Sequence, residues 1–399
     1  MNIVNKIDYL VGDKKNTKII VTEPYDDLSC DFIADLSLQL NKLKLIKEYP
    51  DIKTLSFWCR RQNIKNLKNK FYSTNSDFRI GVGLVFHITP SNMPTNFAYS
   101  LLFGLLSGNS NIIKIPSKKF SQIDIICNCI KKVLKKKKYL IMQNKIKIVR
   151  YSDNDQYTKE ISAVCDARLI WGGNNSINKI RNFKLKERSI DIAFSDRFSF
   201  CAIDGKKILK LNTYELNRLI EKFYNDTFLV DQNACSSPHL IIWLNDHLYK
   251  ARNIFWETLN LYISSKYYQP EIAAIDKYSK LCEDILNLIN IKSYRSLSNS
   301  IYVITLKNLT SKMSNLRGKW GYFYEYGTDD LNDMLKFINK DCQTLSYFGL
   351  SKSKLKELIS KNNTFGVDRI VPIGQTLDMN LTWDGYDLNR TLSRIVDIK

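Results

Sequence analysis

The chain has 399 residues, of which 44% are hydrophobic and 12% are aromatic, so it can bury a sizeable core and is predicted to form two domains. This composition excludes extensive disorder. No apolar run reaches the roughly 18 residues that a bilayer span needs, and the first residues lack a signal-peptide pattern. We therefore expect a cytoplasmic protein with no membrane span.

The net charge of +20 raises the question of nucleic-acid binding, because basic surfaces attract phosphate by counterion release. The lysines, however, are spread along the chain and alternate with asparagine and isoleucine. The densest run, Lys131, Lys132 and 135–138, is interpreted as a solvated helix end, with a polyanion-binding patch as the alternative. We expect no nucleic-acid partner.

The nine cysteines are irregularly spaced, with Cys127 and Cys129 as the close pair, and form neither a disulfide framework nor a paired CxxC zinc pattern. The histidines His87, His239 and His247 lack metal-ligand spacing. We therefore expect reduced thiols and no metal site. Since GxGxxG and GxxxxGK[ST] motifs are absent, a dinucleotide site would have to be a variant one. The absence of HExxH and GxSxG motifs argues against a zinc-protease site and a serine triad.

The first half of the chain predicts helices followed by strands alternating with helices. Residues 26–76 indicate a helical lead-in. Strands are predicted at 81–88, 111–115, 146–151 and 167–171, and helices at 96–106 and from about Phe120 to Leu134, the latter capped by Ser117. Asn174 is placed to cap a further helix. This alternation predicts βαβ units and a largely parallel, doubly wound sheet.

A second α/β unit is predicted to begin around Cys235. A helix from about residue 210 leads into the polar loop 231–238, and 239–244 has the pattern of a buried strand. Later elements are predicted as helices at 246–266, 271–290 and 330–339 and a strand at 301–305.

Three short features could carry chemistry. Cys235 lies in a Pro-terminated loop where backbone amides could favour thiolate and hold an oxyanion, although a small buried hydrophobe is the alternative. Asn92, between two prolines, could donate its amide to an oxyanion or could form an Asx-turn. Gly172, Gly173 and Asn174 follow a strand and precede a helix, where bare amides could receive a pyrophosphate; the alternative is an ordinary turn.

Four segments in order, GLVFHITPSNMPTNFAYSLLFGLLSGNSNIIKIPS (83–117), ARLIWGG (167–173), DQNACSSPHLIIW (231–243) and RIVPIGQTLDMNLTWDGYDLNRTLSRI (369–395), resemble the LuxC-type acyl-CoA reductases of the aldehyde dehydrogenase superfamily. The resemblance covers roughly residues 80–395. It implies an α/β, aldehyde-dehydrogenase-like fold with a nucleotide-binding Rossmann-like domain, an α/β catalytic domain and a short C-terminal oligomerisation segment. The implied boundaries are a helical lead-in at 1–76, a cofactor domain at 77–207, a catalytic domain at 208–375 and the C-terminal segment at 376–399.

The resemblance also implies roles for single residues. Cys235 would be the acyl-accepting nucleophile, and Asn92 would form the oxyanion hole with the Cys235 backbone amide. Lys114 would contact the adenosine ribose, Gly172, Gly173 and Asn174 would receive the pyrophosphate, and Glu325 would position the nicotinamide ribose.

Cofactor preference is inferred from Ser117, which stands three positions after Lys114, where NAD-preferring relatives commonly have a glutamate. Lys118 and Lys119 follow it. Loss of the acidic group and addition of positive charge favour a 2′-phosphate, so NADPH is expected, with NADH as an alternative.

The implied reaction is NADPH-dependent reduction of an acyl thioester to an aldehyde through an S-acyl-cysteine. The segment 188–200 lacks the Glu-Leu-Gly-Gly pattern of hydrolytic relatives, so weak water activation is expected. The alternatives are a CoA-acylating aldehyde dehydrogenase working oxidatively and a non-catalytic scaffold subunit.

The expected partners are an acyl donor and a second copy of the chain. The donor could be acyl-CoA, an acyl-carrier protein or an acyl adenylate delivered by an acyl-activating or acyl-transferring protein, with the chain length left open. A homo-oligomer is expected, with the alternating Leu377, Met379, Leu381 and Trp383 forming its strand.

Overall fold

The computed structural model of the protein describes residues 7–14, 18–74, 77–152, 155–246, 249–361 and 364–399. The helices in this part of the chain are α1 (Asp27–Asn41), α2 (Pro50–Trp58), α3 (Arg61–Ser73), α4 (Asn96–Leu106), α5 (Ser121–Leu134), α6 (Asp155–Val164), α7 (Asn174–Arg181), α8 (Gly205–Ile208), α9 (Thr213–Asp226), α10 (Lys250–Lys266), α11 (Glu271–Asn287), α12 (Lys352–Lys361) and α13 (Leu388–Thr391). The strands are β1 (Asp8–Val11), β2 (Arg79–Gly81), β3 (Leu84–Ile88), β4 (Ser110–Lys114), β5 (Ile146–Arg150), β6 (Ala167–Trp171), β7 (Ile190–Phe194), β8 (Phe198–Asp204), β9 (Leu240–Leu244), β10 (Ile291–Leu297), β11 (Ile301–Leu306), β12 (Tyr322–Thr328), β13 (Cys342–Phe348), β14 (Arg369–Pro372), β15 (Thr382–Trp383), β16 (Tyr386–Asp387) and β17 (Ser393–Ile395).

The chain forms two compact units, each with its own sheet. The first unit comprises the described residues up to Ser195 together with Leu381–Lys399, and the second comprises Asp196–Asn380. The division lies at 195/196 rather than at the predicted 207/208, because β8 pairs with β9 and β13 and so belongs to the second sheet.

The sheet of the first unit has the strand order β1-β5-β4-β3-β6-β7. Strands β3 to β7 pair in parallel, and β1 joins β5 in the antiparallel direction. Buried β-branched and aliphatic residues dominate β3 and β6, as expected for parallel strands covered by helices on both faces. The predicted doubly wound, largely parallel arrangement is confirmed for this unit.

A buried polar network ties the centre of the first unit together. His87 on β3 shares hydrogen bonds with Ser100 of α4 (Nδ1 to Oγ, 2.7 Å) and Asn111 of β4 (Nε2 to Oδ1, 3.0 Å). The indole of Trp171 on β6 donates to the same serine hydroxyl at 3.0 Å. Burial lowers the pKa of His87 to about 4, so the ring is neutral at physiological pH. His87 is therefore a structural side chain.

The sheet of the second unit has the order β10-β11-β12-β9-β8-β13-β14 and is parallel apart from the antiparallel pair of β10 and β11. Alternate residues along its strands feed two buried apolar clusters. Leu240 and Ile242 of β9 belong to one cluster, whereas Ile241 and Trp243 belong to the other. This two-residue period places core on both faces of the sheet.

Several predicted elements are confirmed closely. The helix at 96–106 and the strand at 167–171 have the predicted bounds. The predicted lead-in contains α1, α2 and α3. The segment 330–339 contains a short 3-10 helix at Leu331–Lys336 instead of an α-helix.

The two predicted helix caps are wrong. Helix α5 begins at Ser121 after Phe120, which makes no side-chain cap, while the Ser117 hydroxyl donates to the carbonyl of Tyr151 at 3.3 Å. Helix α7 is preceded by Gly173, so Asn174 is its first residue and not its cap.

The alternating residues of the C-terminal segment do not form a continuous strand, since β15 begins only at Thr382. Residues 382–387 form a short hairpin, and β17 pairs in the antiparallel direction with β2 of the same chain. Leu381 and Trp383 are buried, with 4% and 6% of their surface exposed. The predicted continuous strand is therefore corrected at these residues, whereas a role of the segment in subunit contacts stays a prediction.

The basic run at the end of α5 is exposed, and two of its lysines form ion pairs. Helix α5 ends at Leu134, and the ammonium groups of Lys136 and Lys138 lie 2.9 and 3.1 Å from the carboxylate of Asp35. Part of this positive charge is therefore neutralised locally. In the described part of the chain, no helix has the length and apolar character needed to cross a membrane.

Candidate active site

Cys235 lies at the edge of the second sheet where its parallel strands begin. Strands β12, β9 and β8 are consecutive neighbours in that sheet. Because they are parallel, the loops that precede them lie at the same edge. Cys235 precedes β9, Asp196 precedes β8 and Arg317 precedes β12, so topology collects residues that are far apart in sequence.

The cysteine loop is held by a buried glutamine. Gln232 accepts hydrogen bonds from the amides of Gly321 (2.9 Å) and Tyr322 (3.1 Å), and it donates to the carbonyls of Pro238 and Tyr322 at 3.3 Å each. Asp231 and Gln232 both have positive φ values, 53° and 55°, which L-residues rarely adopt. These bonds stabilise an uncommon backbone path ahead of the cysteine.

The backbone of Cys235 itself is anchored to β8. Its carbonyl accepts a hydrogen bond from the Ser199 hydroxyl at 2.7 Å, and that hydroxyl accepts one from the amide of Thr344 at 3.2 Å. Further along the loop, the Ser237 hydroxyl donates to the carbonyl of Asp226 at 2.7 Å. The cysteine loop is therefore held by hydrogen bonds to β8 and α9, and β13 supports the first of them.

The thiol of Cys235 is partly exposed and is hydrogen-bonded to a carboxylate. Its Sγ donates to Oδ1 of Asp196 at 3.5 Å. Burial raises the pKa of the Cys235 thiol to about 11; a hydrogen bond from the backbone amide of Arg197 acts in the opposite direction, and the charge of Asp196 adds to the rise. The resting group is thus a thiol, and the expected amide contribution is outweighed by burial.

Arg317 orients the carboxylate beside the thiol. Its Nη1 donates to Asp196 Oδ1 at 3.1 Å and to the carbonyl of Arg197 at 2.8 Å. Its guanidinium lies over the ring of Phe198, 5.9 Å from the centroid. Neither Asp196 nor Arg317 was a candidate from the sequence, because no motif links them to Cys235 and only the strand order does so.

His239 is close in sequence to Cys235 but is held in a different role. Its Nδ1 accepts a hydrogen bond from the amide of Gly318 at 3.3 Å, and burial lowers its pKa to about 3. A ring that stays neutral and already accepts a backbone bond is a structural element of the loop. Across the described ranges, no group of three His, Cys, Asp or Glu side chains could hold a metal ion.

The candidate residues of the first unit gather at one edge of its sheet. Strands β4, β3 and β6 are consecutive neighbours, and the candidates stand at or just beyond their carboxyl ends. Ligands bind at such an edge in open parallel sheets. Asn92 follows β3, and Gly172 follows β6. Lys114 is the last residue of β4, and Ser117 comes three residues later.

The start of α7 offers an open set of backbone amides. A Cβ placed on Gly173 would meet no heavy atom within 4 Å, and one on Gly172 would meet only Ser176 Cβ at 3.8 Å. Gly173 and Asn174 are exposed. Uncapped amides at a helix start that face open space suit a phosphate group.

The other candidates of the first unit, Lys114, Ser117 and Asn92, lie at or near the surface, at the same edge of the sheet as Gly172 and Gly173. Lys114 is half-buried, with its ammonium 5.4 Å from the centroid of the Tyr151 ring. Ser117 is exposed, as is Asn92 in the bend before α4. Cys235 lies in the second unit, whereas Asn92 lies in the first.

Glu325 lies in the core of the second unit. Only 2% of its surface is exposed, and its carboxylate accepts hydrogen bonds from the indoles of Trp243 (3.0 Å) and Trp256 (2.9 Å) and from the Thr305 hydroxyl (2.9 Å). The guanidinium of Arg252 lies 3.6 Å away. This enclosure is incompatible with the expected contact to a ribose, so Glu325 is corrected to a structural carboxylate.

Comparison with known proteins agrees with the sequence segments and the two-sheet architecture. The family described as acyl-CoA reductase (LuxC) matches residues 53–396, which is more than half of the chain. The chain belongs to the LuxC acyl-CoA reductase family. Curated proteins gave no match.

Solved aldehyde dehydrogenases share the fold of this LuxC-family chain. Aldehyde dehydrogenase 21 from Physcomitrella patens has a TM-score of 0.63 at 11% identity, with 92% of this chain and 85% of that chain covered. An NAD-dependent aldehyde dehydrogenase from Sinorhizobium meliloti has 0.63 at 12% identity, covering 92% and 80%. A salicylaldehyde dehydrogenase from Pseudomonas putida G7 has 0.61 at 9% identity, covering 96% and 86%. The predicted aldehyde-dehydrogenase-like fold is confirmed.

Proposed function

We propose that this LuxC-family protein reduces an activated acyl group to an aldehyde through an S-acyl intermediate on Cys235, with NADPH as reductant. The observation that carries the proposal is the partly exposed Cys235 thiol in a braced loop, hydrogen-bonded to the Asp196 carboxylate. The remaining eight cysteines lack this combination of partial exposure, a fixed loop and a carboxylate partner.

Acylation begins with attack of the Cys235 sulfur on the carbonyl carbon of an acyl thioester or an acyl adenylate. The C–S bond forms, the thiol proton leaves, and negative charge develops on the carbonyl oxygen. Hydrogen-bond donors stabilise that charge in the transition state. We assign this task to the Asn92 side chain and the Cys235 backbone amide, and the leaving thiolate or AMP then departs.

In this proposal the nicotinamide dinucleotide binds to the first unit, at the carboxyl ends of β3, β4 and β6. The open amides at Gly172, Gly173 and Asn174 would hold the pyrophosphate, and Lys114 would bind the adenosine ribose. When bound, the reduced cofactor supplies the hydride that converts the thioester to the aldehyde level. Collapse of the resulting thiohemiacetal releases the aldehyde and returns Cys235 to its thiol.

The proposed preference for NADPH rests on the charges of the residues that follow β4. Ser117 is exposed and carries no acidic group, and the exposed Lys118 and Lys119 follow it. A 2′-phosphate gains charge-assisted hydrogen bonds from such cations. The donor of the acyl group and a homo-oligomeric state remain predictions.

Acyl transfer tests the proposal directly. Replacing Cys235 by Ala should abolish covalent acylation and turnover, because no other side chain in the mechanism forms the C–S bond. The measurement is intact-protein and peptide mass spectrometry after incubation with acyl-CoA thioesters, acyl-carrier proteins and acyl adenylates, without cofactor. The matched control is Cys282→Ala, which removes an exposed thiol on α11.

The expected result is an acyl mass on the Cys235 peptide of the wild type and of Cys282→Ala. If none of the donors acylates Cys235, the reductase assignment fails and a scaffold role takes its place.

A further inference from the structure

The carboxylate of Asp196 is the feature of the thiol's surroundings that the resemblance does not assign. Asp196 precedes β8, and its Oδ1 lies 3.5 Å from Cys235 Sγ and 3.1 Å from Arg317 Nη1. The Asp196 side chain is 58% exposed. It can therefore exchange a proton with solvent while remaining in contact with the sulfur.

The chemistry of acylation requires a proton acceptor near this sulfur. Thiolate is the reactive form of cysteine, yet burial raises the pKa of Cys235 to about 11. The resting thiol must lose its proton as the C–S bond forms. A group that takes the proton must lie within hydrogen-bond reach of Sγ.

The other charged or titratable groups around Cys235 are committed elsewhere. His239 is neutral and its Nδ1 accepts the amide of Gly318. The guanidinium of Arg197 binds the carboxylate of Asp368 and two backbone carbonyls. Arg317 carries no basic lone pair and donates to Asp196. Asp196 is the acceptor that the hydrogen-bond geometry provides.

We propose that Asp196 accepts the Cys235 thiol proton during acylation and that Arg317 is a positioning residue that holds the carboxylate toward the sulfur. This inference rests on the proposed function, since it describes the acylation step. As the S–H bond breaks, its electron pair forms the bond to the acyl carbon and the proton moves to the Asp196 carboxylate. When the tetrahedral intermediate collapses, the same proton passes to the departing thiolate of the donor, and Asp196 is again ionised.

The substitution Asp196→Asn distinguishes a proton acceptor from a carboxylate that acts only through its charge. A negative charge beside the thiol raises the thiol pKa. If Asp196 acted only through its charge, Asp196→Asn would lower the pKa of Cys235 and would accelerate both alkylation and acylation. If Asp196 accepts the proton, the same change makes the thiol easier to ionise but slows acylation.

The experiment measures single-turnover acylation rates of the full chain between about pH 6 and pH 11, a range that reaches the raised pKa of the Cys235 thiol, together with the pH dependence of alkylation by iodoacetamide. We expect Asp196→Asn to acylate about 100-fold more slowly near neutral pH, the lower end of general-base effects. The deficit should shrink as the pH rises toward that of thiol ionisation. Asp276→Asn, which removes an exposed carboxylate from α11, should match the wild type.

Two further variants protect the test against indirect effects. Asp196→Glu keeps a carboxylate and should acylate faster than Asp196→Asn. Arg317→Gln should lower the acylation rate less than Asp196→Asn does and should keep the wild-type dependence of the rate on pH across the same range, because the carboxylate remains.

The inference is overturned if the wild type is acylated and Asp196→Asn is acylated equally fast or faster. Failure of every donor to acylate the wild type is a different outcome, which overturns the proposed function and this step with it.

Discussion

The surroundings of Cys235 distinguish it from the other cysteines of the chain. Six of the nine are buried, namely Cys59, Cys127, Cys129, Cys165, Cys201 and Cys342. Burial raises the thiol pKa at each of these positions, so they act as small apolar groups. Cys235 is also desolvated, but it alone is proposed to combine partial exposure with an adjacent proton acceptor.

The candidate site was predictable from the sequence in part. Cys235 stood out because a polar, proline-terminated loop precedes an apolar strand, and Gly172 and Gly173 stood out at a strand-to-helix junction. Asp196 and Arg317 could not be found in this way, because their contact depends on the order of β12, β9 and β8. Glu325 was misassigned, because an acidic residue in an aromatic stretch gives no sign that two indoles will enclose it.

The proposed preference for NADPH can be tested at the single side chain of Ser117. Replacing Ser117 by Glu would place a carboxylate beside the expected 2′-phosphate, and the loss of hydrogen bonds to a charged group is worth about 1.5–3 kcal/mol. We expect the KM for NADPH to rise by roughly 10- to 100-fold while that for NADH stays level or falls. Steady-state kinetics with both cofactors measures the change.

The matched control for Ser117→Glu is Ser73→Glu, at the exposed end of α3. An equal loss of NADPH binding in both variants, or a parallel loss for both cofactors, would contradict the assignment of Ser117 to the 2′-phosphate.

Elements with a clear hydrophobic period were predicted well, whereas strands that depend on distant partners were not. Helix α4 and strand β6 have the predicted bounds because their apolar pattern is local. Strands β8, β12 and β13 were not predicted, since polar residues interrupt their patterns and their pairing partners lie far away in sequence. The C-terminal alternation did not predict a strand correctly, since only Trp383 of its four residues lies in a strand.

The packing of the C-terminal segment onto its own unit predicts a stability effect. Leu392 is fully buried, and its carbonyl accepts hydrogen bonds from the Asn109 side chain at 2.9 Å and the Val82 amide at 3.3 Å. Replacing Leu392 by Ala should lower the free energy of unfolding by about 2–5 kcal/mol. Denaturant titration measures this loss, and Ile395→Ala, at a side chain 55% exposed, is the control.

An unchanged unfolding midpoint for Leu392→Ala, accompanied by dissociation of an oligomer, would show instead that the segment serves subunit contacts.

At the scale of the whole molecule, the sequence predicted two α/β units but not how the chain is divided between them. The second unit begins at Asp196 because β8 enters the second sheet, and the chain returns to the first unit at Leu381. Such a return after a long excursion has no local sign in the sequence. Each unit supplies one part of the proposed chemistry: open helix-start amides in the first and a braced thiol in the second.

Part of the strong positive charge of the molecule is paired with a carboxylate of the same unit. Lys136 and Lys138 are paired with Asp35, so their charge is partly compensated within the unit. A charge of +20 also favours encounter with anionic ligands, and acyl-CoA and NADPH are both anionic.

In the proposed function, the acyl group on Cys235 is reduced and not hydrolysed. Hydrolysis has to be tested against reduction, because the carboxylate of Asp196 beside a thioester could also activate water. The decisive measurement is a single turnover: acylated protein is freed of donor, mixed with NADPH, and assayed for adduct, aldehyde and free acid. We expect the adduct to disappear with release of an equimolar amount of aldehyde, while release of free acid, or an adduct that persists in NADPH and NADH, would overturn the proposed function.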